Sequence, residues 1–225
     1  MNRNLAEKPA LIKWRSHEPS RLETFSDAVF AFAVTLIIVA LEVPESFHEL
    51  KKMMHGFFSF AICFLMLFQI WNIQNVFFRR FGLRDNYTLG LNAVLLFTVL
   101  FYVYPLKFLF SLLFSSGMEI ERSDFPLLMI IYGGGYFVIF FLFYLMYANA
   151  ASRHKGLDLT ESELFHTNTL KISYLLYAIV GIISCVAALV LPVNMAGLSG
   201  FVYFLLGPFL GTWHFSRAKK QKLIV

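Results

Sequence analysis

Polar side chains open a stretch that is otherwise apolar enough to enter a membrane. Arg21, Glu23, Ser26 and Asp27 fill its first turns, Thr35 lies in its middle, and Glu42 closes it just before Pro44. A charged group at the edge of hydrocarbon is expensive, so it points to a function and to a partner. At about 100° per residue, Ala28, Phe32, Thr35, Val39 and Glu42 fall on one helical face. That stripe offers hydroxyl and carboxylate oxygens among apolar side chains. Its chemistry is replacement of part of a passing cation's hydration shell, not bond making.

Two explanations fit this helix. In the plainer one it packs at the centre of a bundle and Thr35 bonds back to its own backbone. In the other it lines an ion path. One copy cannot enclose a pore, but several copies around an axis can. The lining would be rings of Phe32, Leu36 or Val39 alternating with a ring of Thr35 hydroxyls, gated by an apolar constriction. At the other end of the helix, Asp27 reads as a structural charge. A network of Asp27 with Ser26, Arg21 and the amides Gln74, Asn75 and Asn92 would satisfy it and fix helix 1 against helices 2 and 3.

The elements that must position these residues are membrane spans. The chain has 225 residues, of which 58% are hydrophobic, 18% aromatic and only 15% charged. Folded in water, such a chain would leave large apolar patches exposed, so the composition predicts an all-α integral membrane protein. Apolar runs predict six transmembrane helices: Arg21–Val43, His55–Phe78, Tyr87–Phe114, Pro126–Ala151, Leu164–Leu191 and Ala196–Phe215. Pro105 and Pro208 are expected to kink the third and sixth. Six spans of about 20 residues suit a hydrocarbon layer of about 30 Å. Three segments follow: a cytosolic tail 1–20, a channel-like domain 21–216 and a basic cytosolic tail 217–225. Residues 1–20 lack an apolar core before a cleavage site, so the first span is expected to act as an uncleaved anchor.

An even number of spans puts both termini on one side. That side collects fifteen Lys and Arg, including Arg79, Arg80, Arg84, Arg153 and Arg217, against Lys51, Lys52, Lys107 and Arg122 on the other. The bias makes the termini cytoplasmic and the protein a multi-pass protein of the cell (plasma) membrane. It also explains the net charge of +5 without nucleic acid as a partner. Six acids, Glu42 among them, give the outer face a mild attraction for cations, with Glu42 at the pore mouth.

Other motifs are weaker. Cys63 and Cys185 lie inside apolar runs and read as buried hydrophobes rather than a disulfide or zinc site. Gly133, Gly134 and Gly135 sit inside a span, where they permit close helix approach. The acceptor sequence Asn86, Tyr87, Thr88 falls on the cytosolic side and reads as chance. All six histidines lie in loops or at helix ends without metal spacing. No cofactor and no resident metal are expected, only a cation in transit. No nucleophile–base pair suggests an enzyme.

Arg21-x-x-x-Phe25-Ser26-Asp27 at the start of the first of six spans resembles the signature of the transmembrane protein 175 potassium channels, in their bacterial single-repeat form. Trp71 late in helix 2, the run from Asn92 in helix 3, and Tyr104-Pro105 are similar to that family's pattern. The resemblance covers the whole membrane part. It implies a homotetramer with helix 1 of each subunit lining a central pore, no selectivity-filter loop, and permeation of K⁺ over Na⁺ and other monovalent cations. It implies a constriction at Phe32, which is bulkier than the aliphatic residue usual there, a hydroxyl position at Thr35, and further rings at Leu36 and Val39. Gln74 and Asn75 stand where many members carry His.

The chain lacks a Thr-Val-Gly-Tyr-Gly filter and an Arg-every-third helix, so neither a standard K⁺ filter nor a voltage sensor is present. The expected function is a leak-type potassium channel. The alternative is a secondary ion transporter using the same polar helix 1, although matched broken helices in two halves are missing.

Overall fold

In the computed structural model the described residues are 13–16, 18–39, 45–114 and 120–221. They form α1 (Arg21–Val39), α2 (Phe47–Phe81), α3 (Asn86–Phe114), a short 3-10 turn (Arg122–Asp124), α4 (Phe125–Ser152), α5 (Glu161–Val190), a 3-10 helix (Val193–Leu205) and α6 (Leu206–Gln221). Five stretches are long and apolar enough to cross a membrane: Gly56–Phe81, Asn86–Phe114, Arg122–Ser152, Glu161–Val190 and Val193–Arg217. α1 is not among these five, where six spans were expected. Its 19 described residues begin with Arg21, Glu23 and Asp27, and the rest of the expected span, with Glu42 and Pro44, lies outside the described residues.

Two boundaries differ from expectation for physical reasons. α2 starts eight residues before His55, because a helix can continue past the apolar run through His48 and Lys51. Its 35 residues extend about 52 Å at 1.5 Å per residue, well beyond the hydrocarbon thickness. The sixth span is not one α-helix. From Val193 to Leu205 it is 3-10. There Gly197 and Gly200 weaken α preference, the Ser199 hydroxyl donates back to the Ala196 carbonyl at 2.7 Å, and Ser184 of α5 donates to the Ser199 carbonyl at 3.0 Å. Pro208 then stands in the first turn of α6, where its missing N–H is tolerated.

α2 ends at Gly82, whose φ of +60° suits glycine and whose N–H donates to the Phe78 carbonyl at 2.8 Å. Asp85 precedes α3 and accepts from the Thr88 backbone N–H at 3.2 Å and its hydroxyl at 2.8 Å. Thr160 and Glu163 form a reciprocal capping box at the start of α5.

α4 and α5 cross closely at Gly133 and Gly181. A Cβ on Gly181 would lie 3.0 Å from the Gly133 carbonyl oxygen and from the Phe137 nitrogen. Gly135 instead faces the Tyr102 ring of α3, while a Cβ on Gly134 would meet nothing within 4 Å. Toward the other end of α4, Phe77, Phe81, Tyr147 and Tyr174 pack ring on ring. Arg80 is buried here, donating to the Glu163 carbonyl and the Thr167 hydroxyl, both at 3.0 Å, with His166 Nδ1 at 2.7 Å.

The segment Lys13–Ser16 is strapped across this end of the bundle. The backbone N–H groups of Arg15 and Ser16 donate to the Arg79 carbonyl at 3.0 and 3.1 Å. The Arg15 guanidinium grips the Glu163 carboxylate at 3.0 and 2.9 Å. The strap therefore joins α2 to α5 and leads directly into α1.

Candidate functional site

Among the described residues α1 packs on α2 and α3. Its inward face is Glu23, Ser26, Phe30, Ala33 and Ile37, all buried and spaced by three or four residues. The opposite face carries Phe25, Ala28, Phe32 and Thr35, all exposed in the single chain; Phe25 and Phe32 are 62% and 57% exposed. The described part of the stripe thus points away from the chain's own core. Leu36 stands at the margin, partly buried against the core. The Val39 side chain and all of Glu42 lie outside the described residues. The Thr35 hydroxyl donates to the Ala31 carbonyl at 2.9 Å, which leaves its oxygen lone pairs on the exposed face.

At the start of α1 the inward polar groups form a buried chain. Ser26 donates to the Leu22 carbonyl at 2.8 Å and accepts from the Asn92 amide nitrogen at 3.0 Å. The Asn92 oxygen accepts from Gln74 at 2.7 Å. One residue supplied by each of α1, α2 and α3 closes this connection. Ser26 and Asn92 are fully buried and Gln74 nearly so, so each bond is made away from water and lipid headgroups.

Asp27 takes a different route. Its Oδ1 accepts the Trp71 indole N–H at 2.7 Å. Ser26 and Asp27 are 100° apart around the helix, so the first meets α3 and the second meets α2. Trp71 reads in sequence as an interfacial side chain. The signal that it needed a partner is general: an indole N–H turned toward protein seeks an acceptor. Arg21 is not brought to Asp27, since six residues of helix separate them by nearly two turns and about 120° of rotation. Among the described residues the ion pairs are Arg15–Glu163 and Arg153–Asp85, and Arg21 is exposed. Asn75 is half-buried and lines a cavity of about 250 Å³ with Glu18, Glu23, Asp27, Gln74 and Arg79, outside the Ser26–Asn92–Gln74 bonds. Phe25 is turned outward.

A second, more apolar cavity of about 380 Å³ runs along the side of α1. Asp27 and Trp71 stand with Phe30, Val34, Phe64 and Phe68 along its wall. Among the described residues no group of three His, Cys, Asp or Glu is placed to hold a metal ion. The arrangement is a helix anchored on its inner face by hydrogen bonds, presenting phenyl rings, methyl groups and a hydroxyl on its outer face.

A family model described as endosomal/lysosomal potassium channel TMEM175 matches residues 21–102, the part of the chain that holds α1, Trp71, Gln74 and Asn92. A Marivirga tractuosa protein named potassium channel is 37% identical to this chain over 94% of it and 93% of the relative. A potassium channel of Chamaesiphon minutus is 24% identical over 60% of this chain and 67% of its own. Among solved structures, a variant of the potassium channel MtTMEM175, crystallised with a nanobody–MBP fusion, superposes with a TM-score of 0.83 at 36% identity, covering 95% of this chain and 99% of that one. A lysosomal potassium-selective channel TMEM175 homologue from Chamaesiphon minutus shares the fold, with a TM-score of 0.61 at 20% identity over 88% and 98% of the two chains.

Proposed function

Because this chain belongs to the TMEM175 potassium channel family, a family of ion channels rather than enzymes, we propose that it conducts K⁺ passively through a pore lined by α1. The protein is a multi-pass membrane protein of all-α fold and a potassium channel. Beyond that, four copies surround one axis, each turning the outer face of α1 inward to the pore. Phe32 and Thr35, with Leu36 and Val39 beside them, form successive rings, and Glu42 stands at the mouth. The apolar rings gate by excluding water, and the Thr35 oxygens replace part of the hydration shell of K⁺ in preference to Na⁺. Ser26, Asn92 and Gln74, with Asp27 on Trp71, hold the pore helix in place; Arg21, Phe25 and Asn75 stand outside these bonds. The membrane is the plasma membrane, with both termini in the cytoplasm.

One observation carries this reading. Ser26 and Asp27 bond α1 to α3 and α2, while Phe32 and Thr35 on the other face are exposed among the described residues. The Thr35 hydroxyl is satisfied by the Ala31 carbonyl, and around an axis shared by several copies its free lone pairs form a ring that faces a passing cation. The test is reconstitution in liposomes under opposed K⁺ and Na⁺ gradients. The reversal potential should lie toward the K⁺ value, Thr35→Ala should move it toward zero, and Phe32→Ala should change the conductance. A saturable, coupled flux without passive current would replace the channel by a transporter.

A further inference from the structure

α1 is held by polar contacts at two levels. The first is the Ser26–Asn92–Gln74 chain with the Asp27–Trp71 bond near its start. The second lies toward its other end, where Lys107 Nζ donates to the Ile37 carbonyl oxygen at 2.9 Å. Lys107 is inside α3, two residues after Pro105 and seven before Phe114. Between the two levels the inward contacts of α1 are apolar: Phe30 and Ala33 are buried, and Val29 and Val34 pack against the same core.

Lys107 is unusual in what it does with its charge. Within an apolar span an ammonium ordinarily snorkels along its own helix toward the interface. This one is half-buried and turned sideways onto the backbone of α1. Among the described residues no carboxylate forms an ion pair with it. A charged donor on a carbonyl makes a stronger bond than a neutral one, and Ile37 stands in the last described turn of α1, where a cation also complements the helix dipole. The same end of α3 is tied to α2 by Ser59, whose hydroxyl donates to the Phe110 carbonyl at 2.9 Å. Lys107 thus couples α1 to a braced pair of helices.

We propose that Lys107 is a positioning residue for selectivity, the second anchor of the pore helix. Ile37 follows Leu36 by one residue and Thr35 by two, so the bond grips α1 at the level of the hydroxyl ring but on its far side. Phe32, Thr35 and Leu36 all lie between the two anchors or beside the second. Their distance from the axis is set at both ends, and a hydroxyl ring can discriminate between K⁺ and Na⁺ only if that distance is held. This inference rests on the reading that α1 lines the pore.

The test compares wild type, Lys107→Met, Lys107→Arg and Thr35→Ala in planar bilayers, reading the K⁺/Na⁺ permeability ratio. The ratio does not depend on how much protein is inserted. Methionine keeps an unbranched stem, one atom shorter, and loses the donor; arginine keeps charge and donors. Lys107→Met is expected to lower the ratio by at least about twofold, with Lys107→Arg restoring most of it. If Lys107→Met fails to assemble, Lys107→Gln, which removes the charge and draws the donor back by one atom, carries the same expectation. A wild-type ratio in the Met or Gln variant, while Thr35→Ala still shifts it, overturns the anchor alone. A wild type without passive current, or one indifferent to Thr35→Ala, overturns the pore reading and the anchor with it.

Discussion

Replacing Asn92 by leucine puts the Ser26–Asn92–Gln74 chain to a quantitative test. Asn92 is fully buried; leucine has the same branching with bulkier ends, so any crowding adds to the cost of the lost bonds. Two hydrogen bonds disappear, at 3.0 Å to Ser26 and at 2.7 Å from Gln74. Bonds between membrane helices are worth about 0.6 kcal/mol each on average. Ser26 keeps its bond to the Leu22 carbonyl and is not stranded. Gln74 is: its amide nitrogen loses its acceptor at a position only 2% exposed, at about 1–3 kcal/mol. The expected loss is about 2–4 kcal/mol. In a chain of this size that corresponds to a fall in melting temperature of roughly 4–16 °C, measured by thermal unfolding in detergent. Adding Gln74→Leu removes the stranded amide, so the double variant should be more stable than Asn92→Leu by about 1–2 kcal/mol. Additive losses in the double variant, or an unaltered Asn92→Leu, would refute the claim that these groups act as one buried unit.

Three further substitutions follow from the packing and the caps. Gly181→Ala places a methyl group 3.0 Å from backbone atoms of Gly133 and Phe137, which cannot rotate away, and should cost about 1–3 kcal/mol of thermal stability; Gly134→Ala, with open space around it, should be neutral or stabilising by up to about 1 kcal/mol. At Asp85, partial burial pushes the carboxyl pKa up, but the hydroxyl and N–H of Thr88 and the nearby Arg153 outweigh it and hold the carboxyl below its ordinary value. A depressed carboxylate stabilises above its unfolded pKa, and that contribution is lost as pH falls below about 4. Asp85→Ala should therefore cost about 1 kcal/mol at neutral pH, with the gap to wild type closing on acidification in parallel melting curves.

The sequence carried different parts of this molecule with unequal clarity. Apolar runs end where hydrocarbon ends, so α3 and α4 begin within a residue of expectation. A helix that leaves the membrane loses that signal, which is why the first turns of α2, with His48 and Lys51, read as loop. Helical periodicity places Phe32 and Thr35 on one face, but it cannot say whether that face meets neighbouring helices or stands free; this depends on where α2 and α3 pack. Asp27 and Trp71 are 44 residues apart, and no local pattern encodes such a pair. Arg80 and Lys107 count equally as loop-side charges in a tally of topology. Only the fold turns the first into a buried donor to α5 and the second into a donor to α1.

The Ser26–Asn92 hydrogen bond also has a consequence in time. Its two ends are separated by 66 residues. A ribosome adding about 5–20 residues per second releases Asn92 roughly 3–13 s after Ser26. During that interval the first helix is at the membrane without its third neighbour, and its serine has only its own backbone to bond. The first helix waits at the membrane unfinished until the third one arrives, and variants that remove the Asn92 amide leave it without that partner afterwards, so more nascent chains should go to quality-control proteolysis.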